Sequence, residues 1–157
     1  MKVSEIMTKN PVCCCPSSSA LSAALLMQET DTGILPVIQD RFTPRLVGVV
    51  TDRDLCLHVV AVGRDPAFTW VDGCMTEDPV CCTEQDDVSH ALELMKTHQV
   101  RRLPVVNEKH EVVGMLSLSD LVRKAGIEAS VIAATLRSIC EPAHGTEQRI
   151  ERIITAA

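Results

Sequence analysis

Apolar positions along this chain follow two rhythms. Val88, Ala91, Leu92 and Met95 stand at i, i+3, i+4 and i+7, the spacing that gathers side chains on one face of a helix. Short apolar runs bounded by polar or turn-forming residues read as strands: Ile34 to Ile38 and Leu46 to Val50, then Arg102 to Val106 and Val112 to Leu116. A shorter extended piece precedes each helix, at Val12 to Cys14 and Val80 to Cys82. Between piece and helix lie polar N-cap regions, Ser17-Ser18-Ser19 and Glu84-Gln85-Asp86-Asp87. Thr51 and Ser117, both good N-cap types, open a second helix in each half, running to about Val62 and to Lys124. The predicted order is therefore β-α-β-β-α, twice over. Residues 127–139 read as a further helix, with Val131, Ile132, Ala134, Leu136 and Ile139 at roughly helical spacing. Glu141-Pro142 and Gly145 break it, and a last short helix is predicted around Gln148 to Ile154.

The two halves are copies. Residues 7–40 match residues 75–108 at 12 of 34 positions, where unrelated sequences would share roughly 2. MTKNPVCC answers MTEDPVCC, and ILPV answers RLPV. The register then shifts by two residues, and LVGVVTDRDL (46–55) matches VVGMLSLSDL (112–121), Gly48 with Gly114 and Asp54 with Asp120. Two copies are too few for an open solenoid, so they are expected to bury their apolar faces against each other across a pseudo-twofold axis. One copy of about 60 residues is marginal alone, and the pair is one folding unit. The chain divides into copy one (1–64), copy two (65–125) and a helical tail (126–157), with Gly63-Arg64-Asp65-Pro66 as the turn-rich junction. The fold class is α/β in the α+β sense, tandem β-α-β-β-α units followed by a helical tail.

Composition excludes several functions. The net charge is −6 with no basic run, which argues against a nucleic-acid or anionic-membrane binder. Aromatic residues make up 2%, too few for stacking platforms. MKVSEIM has no apolar h-region and no 18-residue apolar stretch exists, so the expectation is a cytoplasmic chain with reduced thiols. The eight cysteines lack zinc spacings such as C-x₂-C. Adjacent strand residues point to opposite faces, so Cys13-Cys14-Cys15 and Cys81-Cys82 read first as small buried hydrophobes. A thiol redox or metal role is the rival. No Ser/His/Asp or Cys/His grouping is visible, so no catalytic residue is assigned.

The chemistry sits in GVVTDRD and GMLSLSD. A strand ends at Thr51 or Ser117, and the free amides of the following helix favour an anion. One turn on, Asp54 or Asp120 presents a carboxylate that can accept hydrogen bonds from vicinal hydroxyls, such as those of a ribose. Thr-x-x-Asp and Ser-x-x-Asp are also ordinary capping boxes.

The doubled pattern MT-x-x-PV … LPV … G-x-x-[TS]-x-x-D, over residues 3–125, closely resembles the CBS-domain pair, or Bateman module. The resemblance implies β-α-β-β-α units packed sheet to sheet as a pseudo-twofold pair, often dimerised into a disc. It implies a sensor of adenosine-type ligands (AMP first, with ADP, ATP, NAD or S-adenosylmethionine) that signals to an effector protein by conformational change. By the same resemblance Thr51 and Asp54 hold ribose in one cleft, completed by Pro79, Val80, Val100 and Arg101. Ser117, Ser119 and Asp120 hold it in the other, completed by Pro11, Val12, Thr32, Gly33 and Ile34. Arg101 and Arg102, where copy one has Gly33 and Ile34, correspond to basic residues near the family's phosphates, and Arg suits phosphate oxygens. A surface ion pair with Glu108 is the plainer reading. The Asp120 cleft lacks such a charge from copy one, and Arg53 or Lys9 are its candidate lenders. A ligand-free interaction scaffold is the alternative function.

Overall fold

The structure, a computed structural model, describes residues 1–124 and 126–141. Its elements are α1 (Val3–Ile6), β1 (Thr8–Lys9), α2 (Ala20–Glu29), β2 (Ile34–Ile38), β3 (Leu46–Thr51) and α3 (Asp52–Leu55), which widens into a π-helical stretch at Cys56–Val60. A 3-10 turn (Val71–Gly73), β4 (Thr76–Glu77), β5 (Cys82–Thr83), α4 (Val88–Thr97), β6 (Arg102–Val106), β7 (Val112–Ser117), α5 (Leu118–Lys124) and α6 (Ala129–Cys140) follow. The predicted short helix around Gln148 to Ile154 lies outside the described residues. No helix among the described residues is long and apolar enough to cross a membrane.

Each copy is built on an antiparallel hairpin, β2–β3 or β6–β7, bulged at Val37/Ile38 and at Val105/Val106. Alternation sets the faces: in β3, Leu46, Gly48 and Val50 are buried and the residues between them are half-buried. The β2 and β6 strands run almost wholly buried, as β-branched and apolar residues with both faces covered should. The expected first strands are shorter than predicted. Val12 to Cys14 reduces to one parallel bridge, Cys14 to Val37, and its counterpart is the two-residue β5 parallel to β6. Asn10 and Asp78 turn the chain just ahead with positive φ (51° and 45°), a conformation Asn and Asp tolerate.

The lead segments cross over. β1, at the start of copy one, pairs with β7 of copy two, with Thr8 opposite Met115. β4, at the start of copy two, pairs with β3 of copy one, with Val49 opposite Thr76. The sheets are thus β1-β7-β6-β5 and β2-β3-β4. The cores follow the crossing. Val3, Ile6 and Met7 are buried with Leu103, Leu116 and Leu121, while Val71 and Cys74, with half-buried Met75 against them, join Leu35, Val37 and Val50. The hydrogen bonds repeat it, the Val3 amide donating to the Asp86 carbonyl as the Val71 amide does to Ser18. The repeated glycines are explained here. A Cβ on Gly48 would lie 2.9 Å from both the Met75 sulfur and the Thr76 carbonyl oxygen, and one on Gly114 would collide with the Met7 sulfur.

The copies differ in cover. The tail helix α6 lies on α4 and α5. Its buried face is Ile132, Thr135 and Ile139 rather than the apolar set read from the sequence; Val131, Ala134 and Leu136 point outward. Thr135 fits because its hydroxyl donates to the Val131 carbonyl (2.9 Å). Gln99 Nε2 donates to the Ser138 and Glu141 carbonyls (3.2 and 3.0 Å) and ties down the far end. Among the described residues nothing equivalent covers copy one, whose Leu21, Leu25, Leu57 and Val60 are exposed.

Candidate functional site

β7 ends at Ser117 and α5 begins at the next residue. Asp120 Oδ2 accepts from the Ser117 amide (3.0 Å) and hydroxyl (2.6 Å), and Ser117 Oγ accepts from the Asp120 amide (3.1 Å). Asp120 is only 3% exposed. Lys124 Nζ stands 2.9 Å from its Oδ1 and also donates to the Ile6 carbonyl (3.0 Å), while Arg123 lies 3.9 Å away. Burial pushes the Asp120 carboxyl up. The Ser117 hydroxyl, the Lys124 ammonium and the Ser117 amide outweigh it and hold the carboxyl below its ordinary value. Thr51 and Asp54 make the same reciprocal bonds at 2.7, 2.9 and 3.1 Å. Both capping boxes are therefore formed, and any ribose hydroxyl shares the carboxylate with the cap.

In front of Asp120 opens a cleft of about 660 Å³. It is walled on one side by Ser117, Ser119 and Asp120, and on the other by Pro11, Val12, Thr32 and Ile34 of copy one. The crossing is what brings them together: β1 docks beside β7, so the loop that follows it falls against the start of α5. Gly33 does not line the cleft. Its Cα is roofed by Asp52, whose Oδ2 would stand 2.7 Å from a Cβ built there. Arg102 and Arg123 do line it, whereas Arg53 and Lys9 do not. Arg102 is opposite Ser117 in the β6–β7 register, so the two side chains leave the sheet on the same side. Arg123 is not among the residues that the motifs single out, although its i, i+3 spacing from Asp120 is a usable signal. Arg101 and Arg102 make no ion pair with Glu108; among the described residues neither is paired with a carboxylate.

Copy one is different. Thr51 and Asp54 line none of the principal clefts. Val80 and Val100 pack against the second core, Pro79 is half-buried and Arg101 is exposed. By the two-residue register, Arg53 replaces Ser119 and Leu57 replaces Arg123.

The thiols that precede the hairpins are shielded. Burial pushes Cys13 up to about 11, and Cys14 and Cys82 up to about 12. Cys14 and Cys82 face the Pro36 and Pro104 carbonyls at 3.9 Å, and cores enclose them. Among the described residues no three His, Cys, Asp or Glu side chains gather as a metal site.

A paired α/β unit with crossed lead strands and a cleft between copies defines a two-motif binding module. A model of the CBS domain matches residues 3–61 and 71–126, and the chain belongs to the CBS-domain family as a tandem pair. It is 37% identical over 120 residues to the uncharacterized protein YlbB of Bacillus subtilis, covering 76% of this chain and 79% of that one. A crystal structure of Hypoxic Response Protein I with two coordinated zinc ions superposes with a TM-score of 0.72 at 31% identity, covering 79% of this chain and 98% of that one. The curated Hypoxic response protein 1 of Mycobacterium tuberculosis is 32% identical over 139 residues, 88% of this chain and 93% of that one. CBSX2 of Arabidopsis thaliana, solved in complex with AMP, superposes with a TM-score of 0.70 at 30% identity, covering 79% of this chain and 95% of that one.

Proposed function

We propose that this protein is a cytoplasmic sensor that binds an adenosine-type nucleotide, AMP first, in the Asp120 cleft and signals its occupancy to an effector protein. The observation that carries the reading is the convergence of three chemistries on one cleft: apolar Pro11, Val12 and Ile34, the hydroxyls and carboxylate of Ser117, Ser119 and Asp120, and the cations Arg102 and Arg123. Those suit a base, a ribose and a phosphate in turn. The volume falls within the range of small-molecule sites, and AMP bound to CBSX2 supports the ligand class. Thr51 and Asp54, with Pro79, Val80, Val100 and Arg101, would make a second and weaker site. Occupancy draws copy one and copy two together, and it shifts the module only by the ligand's differential affinity for the two states. The exposed apolar helices of copy one support a homodimer.

Isothermal titration with AMP, ADP, ATP, NAD and S-adenosylmethionine tests this. AMP should bind, and Asp120→Asn should weaken it by about 10-fold or more, the worth of a hydrogen bond to a charged group. Arg123→Ala should weaken AMP more than adenosine. Failure of all five ligands to bind at millimolar concentration would leave the ligand-free scaffold.

A further inference from the structure

Beside the first cleft lies a groove of about 490 Å³ that no residue of copy one lines. Helices α5 and α6 make it, each laying an i, i+4 apolar pair along the floor: Leu118 and Val122, then Ile132 and Leu136. Leu118 and Ile132 are buried, whereas Val122 and Leu136 stand 57% and 40% exposed, so folding alone leaves part of the floor uncovered.

Charge separates the groove from the cleft. Arg102 and Arg123 line both, but in the first cleft they meet two carboxylates, Asp31 and Asp120, and in the groove they meet none. Arg101 joins them there, which sets three guanidinium groups against no acid on a chain whose net charge is −6. Lys124 holds Asp120 at 2.9 Å and Arg123 reaches it only at 3.9 Å, while among the described residues Arg101 and Arg102 pair with no carboxylate. Glu128, just ahead of α6, lies outside the lining. The fold does not require these cations: copy one keeps the same hairpin and helix start with Gly33, Ile34 and Leu57 at the corresponding positions.

An uncovered apolar floor beneath unpaired arginines suits an acidic, amphipathic partner. No residue of β1 or β5, the edges of the four-stranded sheet, lines the groove, so it offers no backbone to an added strand. A helix satisfies its own backbone, and a trough between two helices takes its apolar stripe. The chain's own residues 142–157 carry two glutamates against two arginines, so their side-chain charges cancel and offer the groove no match. Resting on the sensor reading above, we propose that the effector docks in this groove through a helix whose apolar stripe is flanked by Asp or Glu. Because Arg102, Ser117, Ser119 and Arg123 line both clefts, a nucleotide phosphate on the two arginines takes them from the partner. The empty module holds the effector and the loaded one releases it. By reciprocity the effector weakens nucleotide binding by the same factor.

The test is fluorescence polarisation of a labelled amphipathic peptide of repeating Glu-Leu-Leu-Glu on the full-length protein, beside its charge-reversed twin of repeating Lys-Leu-Leu-Lys. AMP is titrated separately by calorimetry. The acidic peptide should bind at least 10-fold tighter than the basic one. Val122→Asp and Leu136→Asp place a carboxylate in the groove and touch neither the core nor the first cleft. Each should weaken the acidic peptide 10-fold or more and leave AMP binding unchanged. Saturating AMP should weaken the peptide at least 10-fold in wild type. If AMP binds while the acidic peptide binds no better than the basic one, or if its binding survives both substitutions, the docking assignment is wrong and the sensor reading stands. Phosphatidylglycerol vesicles that bind where the peptide does not would give the groove to a membrane, and a dimer dissolved by Leu136→Asp would give it to a second copy; either result overturns the proposal. AMP and peptide bound together without interference would overturn the release. If AMP does not bind at all, the sensor reading falls and the release falls with it.

Discussion

Asp120 serves the fold and the site with the same two oxygens. Its carboxylate caps α5, pairs with Lys124 and faces the cleft. A carboxyl held below its ordinary value in the folded state contributes stability in full above the unfolded value near pH 4, and loses it as the pH falls through the lowered native value. Asp120→Asn should therefore destabilise the protein at neutral pH by about 1–3 kcal/mol. The melting-temperature gap between wild type and variant should narrow as the pH falls below about 4. A gap that stays constant on acidification would mean that Asp120 contributes no pH-linked stability. The same residue shows what the chain disclosed of its site. Ser117-x-x-Asp120 was legible because a strand end, a cap and a carboxylate are all local. Arg102 as a neighbour of that cleft was not, because the β6–β7 register decides it. Gly33 is not in that lining, and a Cβ there would meet the Asp52 carboxylate, a neighbour that the hairpin register supplies.

At the scale of elements, periodic segments were legible and short ones were not. The hairpins β2–β3 and β6–β7 stand where the apolar runs put them, and α4 presents Val88, Ala91, Leu92 and Met95 to the core as its spacing demanded. Two-residue strands carry no period, so β1 and β4 left no such signal, and α1 is a single turn. What the sequence did carry was the pair of glycines at their crossing points. Gly48→Ala and Gly114→Ala should each cost about 1–3 kcal/mol, the usual penalty for overpacking, because backbone and Met sulfur must both give way. Gly73→Ala, with open space around its Cβ, is the matched control and should change stability by less than about 0.5 kcal/mol. Urea denaturation of the three variants separates them, and equal losses would refute the crossing as the reason for glycine. The second helix of copy one also departs from expectation. It was read as one helix to about Val62, but it is α-helical only to Leu55 and widens beyond, whereas α5 holds regular form to Lys124.

The whole molecule is a near-symmetric pair made unequal by its tail. On copy two, α6 covers α4 and α5. On copy one, Leu21 and Leu25 stand where α4 has Ser89 and Glu93, so α2 is apolar nearly all round, the mark of a helix that is meant to be covered. With Val60 of the π-helical stretch 71% exposed, this is the face on which the proposed homodimer would form. Sedimentation equilibrium should report a dimer for wild type and a monomer for Leu25→Glu/Val60→Asp, with ligand titration of the Asp120 cleft giving the same result for both. A wild-type monomer at tens of micromolar would refute that assembly.

The crossing of the lead strands also sets an order in time. Synthesis delivers α1 and β1 first, yet Thr8 pairs with Met115, over a hundred residues later. The first core needs nothing beyond Glu77, since β4 closes its sheet. On a ribosome the opening residues must therefore wait, unpaired, while the half that follows them assembles behind their backs. Val3 meets Asp86 only as copy two begins, and Thr8 meets Met115 only when β7 emerges, so the beginning of the chain is put in place with the second half rather than with the first.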